Sequence, residues 1–386
     1  MNDTGRTHKR PGTKWQNVVA RFEQQFAAGG YRAGAAFPTL RELCEQHGIS
    51  NTTGRRVVQE LKSRGYIAAR GRAGTRVLRT TLRPETVYLC LRPEAIQAGG
   101  SLLNSVYFIH EFMTGFAESA PGRMFKLAPV SSAFVFCNLD RFAGRQVLMS
   151  ANVIIRQRGE RMEPDQDLAA RLHERLQPIF FHGFPGLGNV IQLGTDLHSS
   201  LAQPVRHLVG LGHTRIGLVI GDTRSVWARE RLQGYMDALN EANIGFAPER
   251  MAVVTDLHDA AGDAALDRLL DPANGLTALA CATDRLALAV LDRCRRRSIR
   301  VPQDLAVTGS DNIPEARLNL PPLTSVDGRD REKGAFAAEL LQRRLGGAVL
   351  APVVQTFEPR LIVRESSGTA APGHEAGAGS LSKQVG

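Results

Sequence analysis

Residues 33–78 read AGAAFPTLRELCEQHGISNTTGRRVVQELKSRGYIAARGRAGTRVL, and their pattern predicts the structure of the N-terminal part of the chain. Thr39 and, three residues later, Glu42 form a capping box, which predicts the start of a helix. Gly48 ends this helix, because glycine readily adopts the left-handed conformation of a helix stop. Ser50 is the predicted N-cap of the next helix. Two short helices joined by such a turn are typical of a helix-turn-helix.

The segments on either side complete a winged helix. Upstream, apolar residues at helical spacing predict one more helix, and they are Trp15, Val18, Val19, Phe22 and Phe26. Downstream, residues 66–69 and 75–78 predict two strands on either side of a basic, glycine-rich tip. The sequence therefore predicts a winged helix-turn-helix over residues 13–80.

The excess positive charge of the chain is concentrated in this segment. Residues 1–83 carry 16 lysines and arginines and 5 aspartates and glutamates, a net charge of +11. The rest carries 32 basic and 33 acidic residues, since the whole chain has 48 and 38. A basic module on a neutral body implies a polyanionic partner, and double-stranded DNA is the leading candidate. The alternative, a winged helix that contacts only proteins, is disfavoured by this charge.

This segment resembles the winged helix-turn-helix of the GntR family. The matching positions are Pro38, the Arg41-Glu42-Leu43 run, the Gly48-Ile49-Ser50 turn, Arg55, Leu61, Gly65 and the Gly-x-x-Gly-Thr wing. The resemblance implies that the second helix of the pair enters the major groove and that the wing tip touches the neighbouring DNA backbone or minor groove. By position it implies that the DNA-facing residues are Arg41, Ser50, Asn51, Thr52, Arg55, Gly71 and Arg72.

The chemistry of these side chains divides their roles. Arg55, Arg56 and the wing arginines suit phosphates, which give affinity without sequence information. Arg41 suits a guanine edge or a phosphate, and Asn51 can pair with adenine. Asn51 stands where the family often has arginine, which predicts a shifted base preference. Gly54 replaces a usual apolar residue, and its low helix propensity predicts a recognition helix that is soft until DNA binds.

The remainder of the chain alternates between strand-like and helical segments. Strands are predicted at residues 86–91, 124–128, 152–155, 178–181, 214–220, 251–255, 276–281, 305–308 and 323–326. This alternation predicts parallel sheets with right-handed crossovers, and the length suits two lobes better than one sheet. The predicted fold class is therefore α/β, with a winged helix-turn-helix followed by a two-lobed domain.

Five blocks of this domain stand in a recognisable order. They are HLVGLGHTRIGLVIGD (207–222), RLQGYMDALNEANI (231–244), ALACATDRLALAVLDRCRRRSIRVPQDLAVTGSDNIP (278–314), PPLTSVD (321–327) and LIVRESS (361–367). They resemble the effector domain of the LacI/GalR family, which shares the periplasmic-binding-protein fold. The resemblance implies two lobes that close on a small polar ligand, with a carbohydrate as the first candidate. Residues 85–206 match more loosely, and no pocket residue of the first lobe is assigned.

Candidate effector-binding residues follow the strands of the second lobe, because open α/β sheets bind ligands at the carboxyl ends of their strands. The resemblance implies that Asp284 accepts hydrogen bonds from ligand hydroxyls, and the alternative is an N-cap of the following helix. Arg231 matches the family's pocket arginine, whose guanidinium suits hydroxyls or a carboxylate. Trp227 either stacks on a ligand or packs in the core. Asp311, after the next strand, is a further candidate.

The sequence predicts no catalytic residue, no metal site and no cofactor, since it has no GxSxG, no P-loop and no histidine pair at metal-binding spacing. No apolar run reaches the roughly 18–20 residues that span a bilayer, and the first residues lack the apolar core of a secretory signal. We therefore expect a cytoplasmic homodimer that represses from a palindromic operator until its ligand binds. A solute-binding protein is the alternative. A fused aminotransferase is disfavoured, because Lys126 is the only lysine between residues 85 and 330.

The predicted organisation has five parts: a disordered basic tail at 1–12, the winged helix-turn-helix at 13–80, a linker at 81–85, the effector domain at 86–366 and a disordered tail at 367–386. The linker is too short for the hinge helix of the LacI/GalR family, and it contains Pro84. Coupling between the two domains must therefore use a different geometry.

Overall fold

The structure is a computed structural model that describes residues 14–27, 30–69, 74–78, 85–92, 103–158, 161–183, 187–255, 257, 260–346 and 348–368. The predicted tail at 1–12 and the wing tip lie outside these residues. So do linker residues 81–84 and the second tail beyond residue 368.

The N-terminal part is a winged helix, as predicted. Its elements are α1 (Lys14–Ala27), α2 (Leu40–His47), α3 (Asn51–Ser63), β1 (Ile67–Ala69) and β2 (Thr75–Val77), the two strands being antiparallel. The capping box is confirmed: Thr39 Oγ1 accepts from the Glu42 N–H, and Glu42 Oε2 accepts from the Thr39 N–H at 2.8 Å. Ser50 caps α3, also as predicted. The apolar stripe of α1 packs with α2 and α3 into one core.

Gly54 has a packing role that the sequence did not reveal. It is buried in α3, facing α2. A Cβ at this position would lie 2.6 Å from Cys44 Sγ and 2.9 Å from Leu40 Cδ1. Both distances are shorter than ordinary van der Waals contact, so the close approach of the two helices depends on a residue without a side chain.

The remaining strands belong to the effector domain. They are β3 (Glu85–Leu91), β4 (Phe125–Ser131), β5 (Gln146–Ser150), β6 (Ile155–Arg158), β7 (Arg161–Pro164), β8 (Ile179–Phe181), β9 (Ile191–Thr195), β10 (Ile216–Ile220), β11 (Met251–Val253), β12 (Ala278–Cys281), β13 (Ala306–Thr308), β14 (Ser325–Asp327), β15 (Val353–Phe357) and β16 (Arg360–Ile362). The first lobe has a parallel sheet in the order β15-β9-β8-β5-β3-β4, and the second has one in the order β11-β10-β12-β13. The predicted two-lobed α/β fold is confirmed.

Helices cover both faces of these sheets, as buried parallel strands require. They are α4 (Leu103–Glu118), α5 (Ser132–Cys137), α6 (Leu139–Phe142), α7 (Gln166–Leu176), α8 (Leu197–Gly210), α9 (Val226–Glu241), α10 (Ala260–Leu269), α11 (Asp284–Arg296), α12 (Pro314–Leu318) and α13 (Asp330–Leu345). Helices α4 and α13 pack on one face of the first sheet and α5 to α7 on the other, while α8 to α12 surround the second sheet. The antiparallel pair β14–β16 lies where the chain crosses between the lobes.

The strand predicted at 152–155 is wrong. The central strand is β5, and residues Ala151–Ile154 form a 3₁₀ turn that leads into the antiparallel hairpin β6–β7. Val153 and Ile154 are buried because the turn packs on the core of the first lobe. An apolar run of four residues does not distinguish a strand from a buried turn.

Two predicted domain boundaries are also corrected. Glu85, assigned to the linker, is the first residue of β3. Ser367, assigned to the disordered tail, is buried, and its hydroxyl lies 2.7 Å from Thr324 Oγ1 and 2.9 Å from His207 Nε2. The effector domain therefore begins one residue earlier than predicted, and its described part ends at Gly368.

The winged helix packs directly against the first lobe. Leu78, just after β2, is part of the apolar core of that lobe, and Ala68 packs against it. Gly65 lies against Met124, since a Cβ on Gly65 would overlap with Met124 Sδ. Gln342 of α13 donates to the same sulfur at 3.3 Å. The two domains are thus in contact through packed side chains.

Candidate functional site

Helix α3 presents a polar face to solvent. Asn51, Thr52, Arg55 and Arg56 are exposed, whereas the opposite side of the helix is buried in the core of the winged helix. A helix brings residues three to four apart onto one face, so these four side chains form one surface. A polar and basic face on one helix suits the major groove of DNA, which admits an α-helix.

The N-terminal end of this face is held in place by local hydrogen bonds. Ser50 Oγ accepts from the Thr53 N–H at 3.3 Å, so its hydroxyl serves the helix cap. Cys44 Sγ donates to Asn51 Oδ1 at 3.6 Å, which orients the amide that is predicted to face a base. The helix cap and the amide orientation are therefore both set by residues of the turn and of α2.

Two of the predicted DNA-facing arginines contact neighbouring side chains. Arg41 is highly exposed and pairs with Glu45 at 2.9 Å, a surface contact that contributes little stability. The guanidinium of Arg56 lies 4.7 Å from the centre of the Trp15 ring, which is cation–π geometry. The two wing residues, Gly71 and Arg72, lie outside the described residues.

A cavity of about 490 Å³ lies between the two lobes, at the carboxyl ends of both parallel sheets. This is the position at which open α/β sheets bind ligands. The second lobe lines it with side chains from strand ends and from α9, and these include Asp222, Trp227, Arg231, Thr283, Ser310 and Asp311. Trp227 also packs against the first-lobe core, and its stacking on a ligand stays a prediction.

Arg231 and Asp311 form a loose buried pair in this cavity. Arg231 Nη2 lies 3.8 Å from Asp311 Oδ1, and only 3% of the Asp311 side chain is exposed. Burial raises the pKa of Asp311 well above its usual value, although the guanidinium opposes this shift. Arg231 Nε and Asp311 Oδ2 have no hydrogen-bond partner in the described part of the chain. Buried polar atoms are normally paired, so these two atoms are available to a ligand.

The structure does not bring Asp284 into the cavity. Its side chain is fully buried, with Oδ1 accepting from Ser325 Oγ at 2.5 Å and Oδ2 accepting from the Ile313 N–H at 2.9 Å. Burial raises the pKa of Asp284 to about 6. The N-cap alternative is wrong, because Thr283 caps α11. Asp284 instead ties the loop that carries Asp311 to strand β14.

The first lobe supplies residues that sequence reasoning missed. They are Phe108 of α4, Asn152 of the 3₁₀ turn, His182 after β8, Thr195 at the end of β9, and Asp330 and Lys333 of α13. Residues 85–206 match the LacI/GalR family only loosely, so most of these residues could not be aligned with a pocket position of that family. The one available signal was position, since His182 and Asp330 follow predicted strands at the edge where ligands bind.

Three of these residues form a charged group. Lys333 Nζ lies 2.7 Å from Asp330 Oδ1 and donates to Thr195 Oγ1 at 2.7 Å. His182 Nε2 lies 3.6 Å from Asp330 Oδ1. Burial opposes ionisation of Asp330, but the ammonium of Lys333 and the imidazole of His182 outweigh it and lower the pKa of Asp330 to about 2. Asp330 is therefore a carboxylate at neutral pH.

Two family models match the chain. The gntR family of bacterial regulatory proteins matches residues 14–77, and the periplasmic binding protein-like domain matches residues 205–367. The first match covers the described winged helix, which is therefore a DNA-binding helix-turn-helix. The second covers most of the second lobe together with α13 and β15 of the first lobe. No described helix is long and apolar enough to cross a membrane.

Several characterised proteins are similar to this chain. The HTH-type transcriptional regulator CelR of Thermobifida fusca is 31% identical over 328 residues, which cover 82% of this chain and 90% of CelR. The HTH-type transcriptional repressor PurR of Aliivibrio fischeri is 32% identical over 163 residues, 42% of this chain. The PurR match spans only 48% of that repressor, about half its length.

Solved structures show the same architecture. A transcriptional regulator CelR–cellobiose complex has 25% sequence identity and a TM-score of 0.59, covering 86% of this chain and all of the other. The transcription regulator GntR from Chromobacterium violaceum has 25% identity and a TM-score of 0.55, covering 73% of this chain and 99% of the other. Since the CelR match extends over nine-tenths of that regulator, the chain belongs to the LacI family of transcriptional regulators, with a gntR-type winged helix at its N-terminus.

Proposed function

We propose that this protein is a transcriptional repressor that releases DNA when a hydroxyl-rich effector binds between its lobes. The observation that carries the proposal is the Arg231–Asp311 pair, which lines the interlobe cavity and has two buried polar atoms without a hydrogen-bond partner in the described part of the chain. A guanidinium and a carboxylate together offer donors and acceptors, as sugar hydroxyls require. The cellobiose complex of a similar regulator makes a carbohydrate the first candidate.

We propose that α3 reads the operator with the exposed face defined above. Asn51 and Thr52 would contact base edges, whereas Arg55 and Arg56 would contact phosphates. Arg41, Ser50 and the two wing residues would complete the interface. Because the protein would act on DNA, we propose that it is cytoplasmic.

We propose that the protein acts as a homodimer on a palindromic operator, because a twofold protein reads two half-sites. Leu318 and Leu320 are each 81% exposed beside α12 in the second lobe. Neighbouring large apolar side chains at such exposure are typical of an interaction surface. A second copy of this chain is the partner that we assign to this surface.

Helix α13 offers a physical route between the effector and the DNA. Asp330 and Lys333 in its first turn line the interlobe cavity, and Gln342 near its other end contacts Met124, which packs on the winged helix. A helix of this length spans about 24 Å and moves as one element. Lobe closure that displaces the start of α13 would therefore shift the surface on which the winged helix rests.

The test is a thermal-shift screen of the full chain against sugars, polyols and nucleosides, followed by anisotropy with fluorescent operator DNA. A ligand that binds only the folded protein raises the melting temperature. We expect a hit to release DNA, Arg231→Ala to lose the response, and Arg206→Ala to keep it, since Arg206 lies on the surface of α8. A hit that leaves DNA affinity unchanged would favour a solute-binding protein instead.

A further inference from the structure

The first-lobe side of the cavity carries a cluster that no sequence pattern assigned, formed by His182, Thr195, Asp330 and Lys333. Lys333 is 2% exposed and Asp330 is 8% exposed, which is rare for residues of these types. All four residues line the cavity between the lobes. Two charges are thus held in a ligand cavity rather than on the surface, although burial of charge is costly.

The charges around the cavity are balanced. When Asp311 is ionised, each charged side chain that lines the cavity has a partner of opposite sign, in the pairs Lys333 with Asp330 at 2.7 Å, Arg231 with Asp311 at 3.8 Å, and Arg224 with Asp222 at 2.7 Å. An anionic ligand would bring a negative charge that no described residue of the cavity balances. It would also approach three carboxylates in a site that excludes water, where unpaired charge is strongly unfavourable.

The same walls still offer unused hydrogen-bonding capacity. The Lys333 ammonium has three donors, and its polar neighbours in the described residues are Thr195 Oγ1 and Asp330 Oδ1. His182 Nε2 lacks a hydrogen-bond partner among the described residues. So do Arg231 Nε and Asp311 Oδ2 on the second-lobe side of the cavity. A hydroxyl group both donates and accepts, so a ligand rich in hydroxyls can use both walls without adding charge. Phe108 and Trp227 supply apolar surface for the faces of such a ligand.

We propose that the cluster of His182, Thr195, Asp330 and Lys333 binds effector hydroxyls, and that the cavity selects an uncharged polyhydroxy compound over its phosphorylated or carboxylated derivatives. This inference rests on the proposed function, because it concerns the same cavity. It adds the first-lobe contacts and the charge class of the ligand.

The first experiment measures charge selectivity by isothermal titration calorimetry on the full chain. The probes are the neutral hits of a panel of hexoses, pentoses, disaccharides and polyols that includes glucose and cellobiose, each beside its phosphate ester and its aldonate. We expect at least one neutral compound to bind, and its anionic derivatives to bind at least about tenfold more weakly, a factor equal to about 1.4 kcal/mol. Tighter binding of an anionic derivative, or no binding by any neutral compound, would overturn the inference.

The second experiment tests the cluster itself. The double variant Asp330→Asn/Lys333→Met removes both charges together, so that neither is left buried without a partner. We expect it to fold and to bind the neutral compound at least about tenfold more weakly, since hydrogen bonds to charged groups are lost. Glu339→Gln is the matched control, because this residue is exposed on the same helix. Unchanged affinity in the double variant would show that the pair is structural only.

A third variant weakens the preference for the neutral compound. Asp330→Asn leaves the Lys333 charge without its carboxylate, so the discrimination against the phosphate ester should shrink by about tenfold or more. Circular dichroism and operator binding without ligand confirm that this variant is folded. If selectivity fails while ligand still releases DNA from the wild type, the charge inference is wrong and the proposed function stands. If ligand binds and DNA is not released, the proposed function fails and the selectivity result still holds.

Discussion

Gly54→Ala should destabilise the winged helix, although alanine has the higher helix propensity. Propensity alone predicts a gain of about 1 kcal/mol in the free energy of unfolding. The added Cβ would meet Cys44 Sγ at 2.6 Å and Leu40 Cδ1 at 2.9 Å, and overpacking of this kind costs about 1–3 kcal/mol. Leu40 and Cys44 are both half-buried, but Leu40 Cδ1 is the far end of a flexible side chain, whereas Cys44 Sγ lies next to the backbone and donates to Ser50 O and Asn51 Oδ1 at 3.6 Å. We therefore expect a net loss of about 1 kcal/mol.

A double-mutant cycle with Cys44→Ala separates the two effects. Without the sulfur, Gly54→Ala should stabilise the winged helix by up to about 1 kcal/mol, so the coupling between the two positions should reach about 1–3 kcal/mol. Urea unfolding followed through the fluorescence of Trp15 gives these values, with Trp227→Phe in all four proteins so that one tryptophan reports. Stabilisation by Gly54→Ala regardless of residue 44 would refute the packing argument.

Four further predictions follow from the same structure. Asp284→Ala should lower the free energy of unfolding by about 2–5 kcal/mol, because two buried donors lose their acceptor, whereas a pure ligand role would leave urea unfolding unchanged. Effector affinity should rise with pH through the range in which Asp311 ionises. Burial raises the pKa of Asp311 in the free protein, and ligand hydroxyls that donate to its carboxylate lower that pKa, so binding releases a proton; calorimetry on Asp311→Asn should show a flatter profile. Asn51→Arg should move the preferred half-site toward guanine in binding-site selection, and identical selected sites would count against direct readout. Met124→Ala should weaken the effect of ligand on operator affinity while leaving ligand affinity within about twofold, and unchanged coupling would exclude this route between the domains.

Local sequence signals predicted the winged helix well. Thr39, Glu42 and Ser50 form helix caps through contacts within three residues, so the sequence determines them without reference to the rest of the fold. The strands of the second lobe were equally clear, because buried parallel strands are continuous apolar runs. The first lobe was harder to predict, since Ala151–Ile154 is as apolar as a strand and yet forms a turn.

The two-domain plan, the basic DNA-binding head and the second-lobe candidates Arg231 and Asp311 could be predicted from the sequence. Which polar side chains share the cavity became clear from the packed lobes alone. The tertiary structure placed Asp284 behind the wall and brought His182 beside Asp330, 148 positions away in the chain. The physical reason is that caps and periodic apolar faces are set by neighbouring residues, whereas a ligand cavity is built from strand ends that meet only when the lobes pack. Gly54 is a further example of a role set by distant packing. A side chain at this position would collide with α2, and nothing within its own helix indicates this.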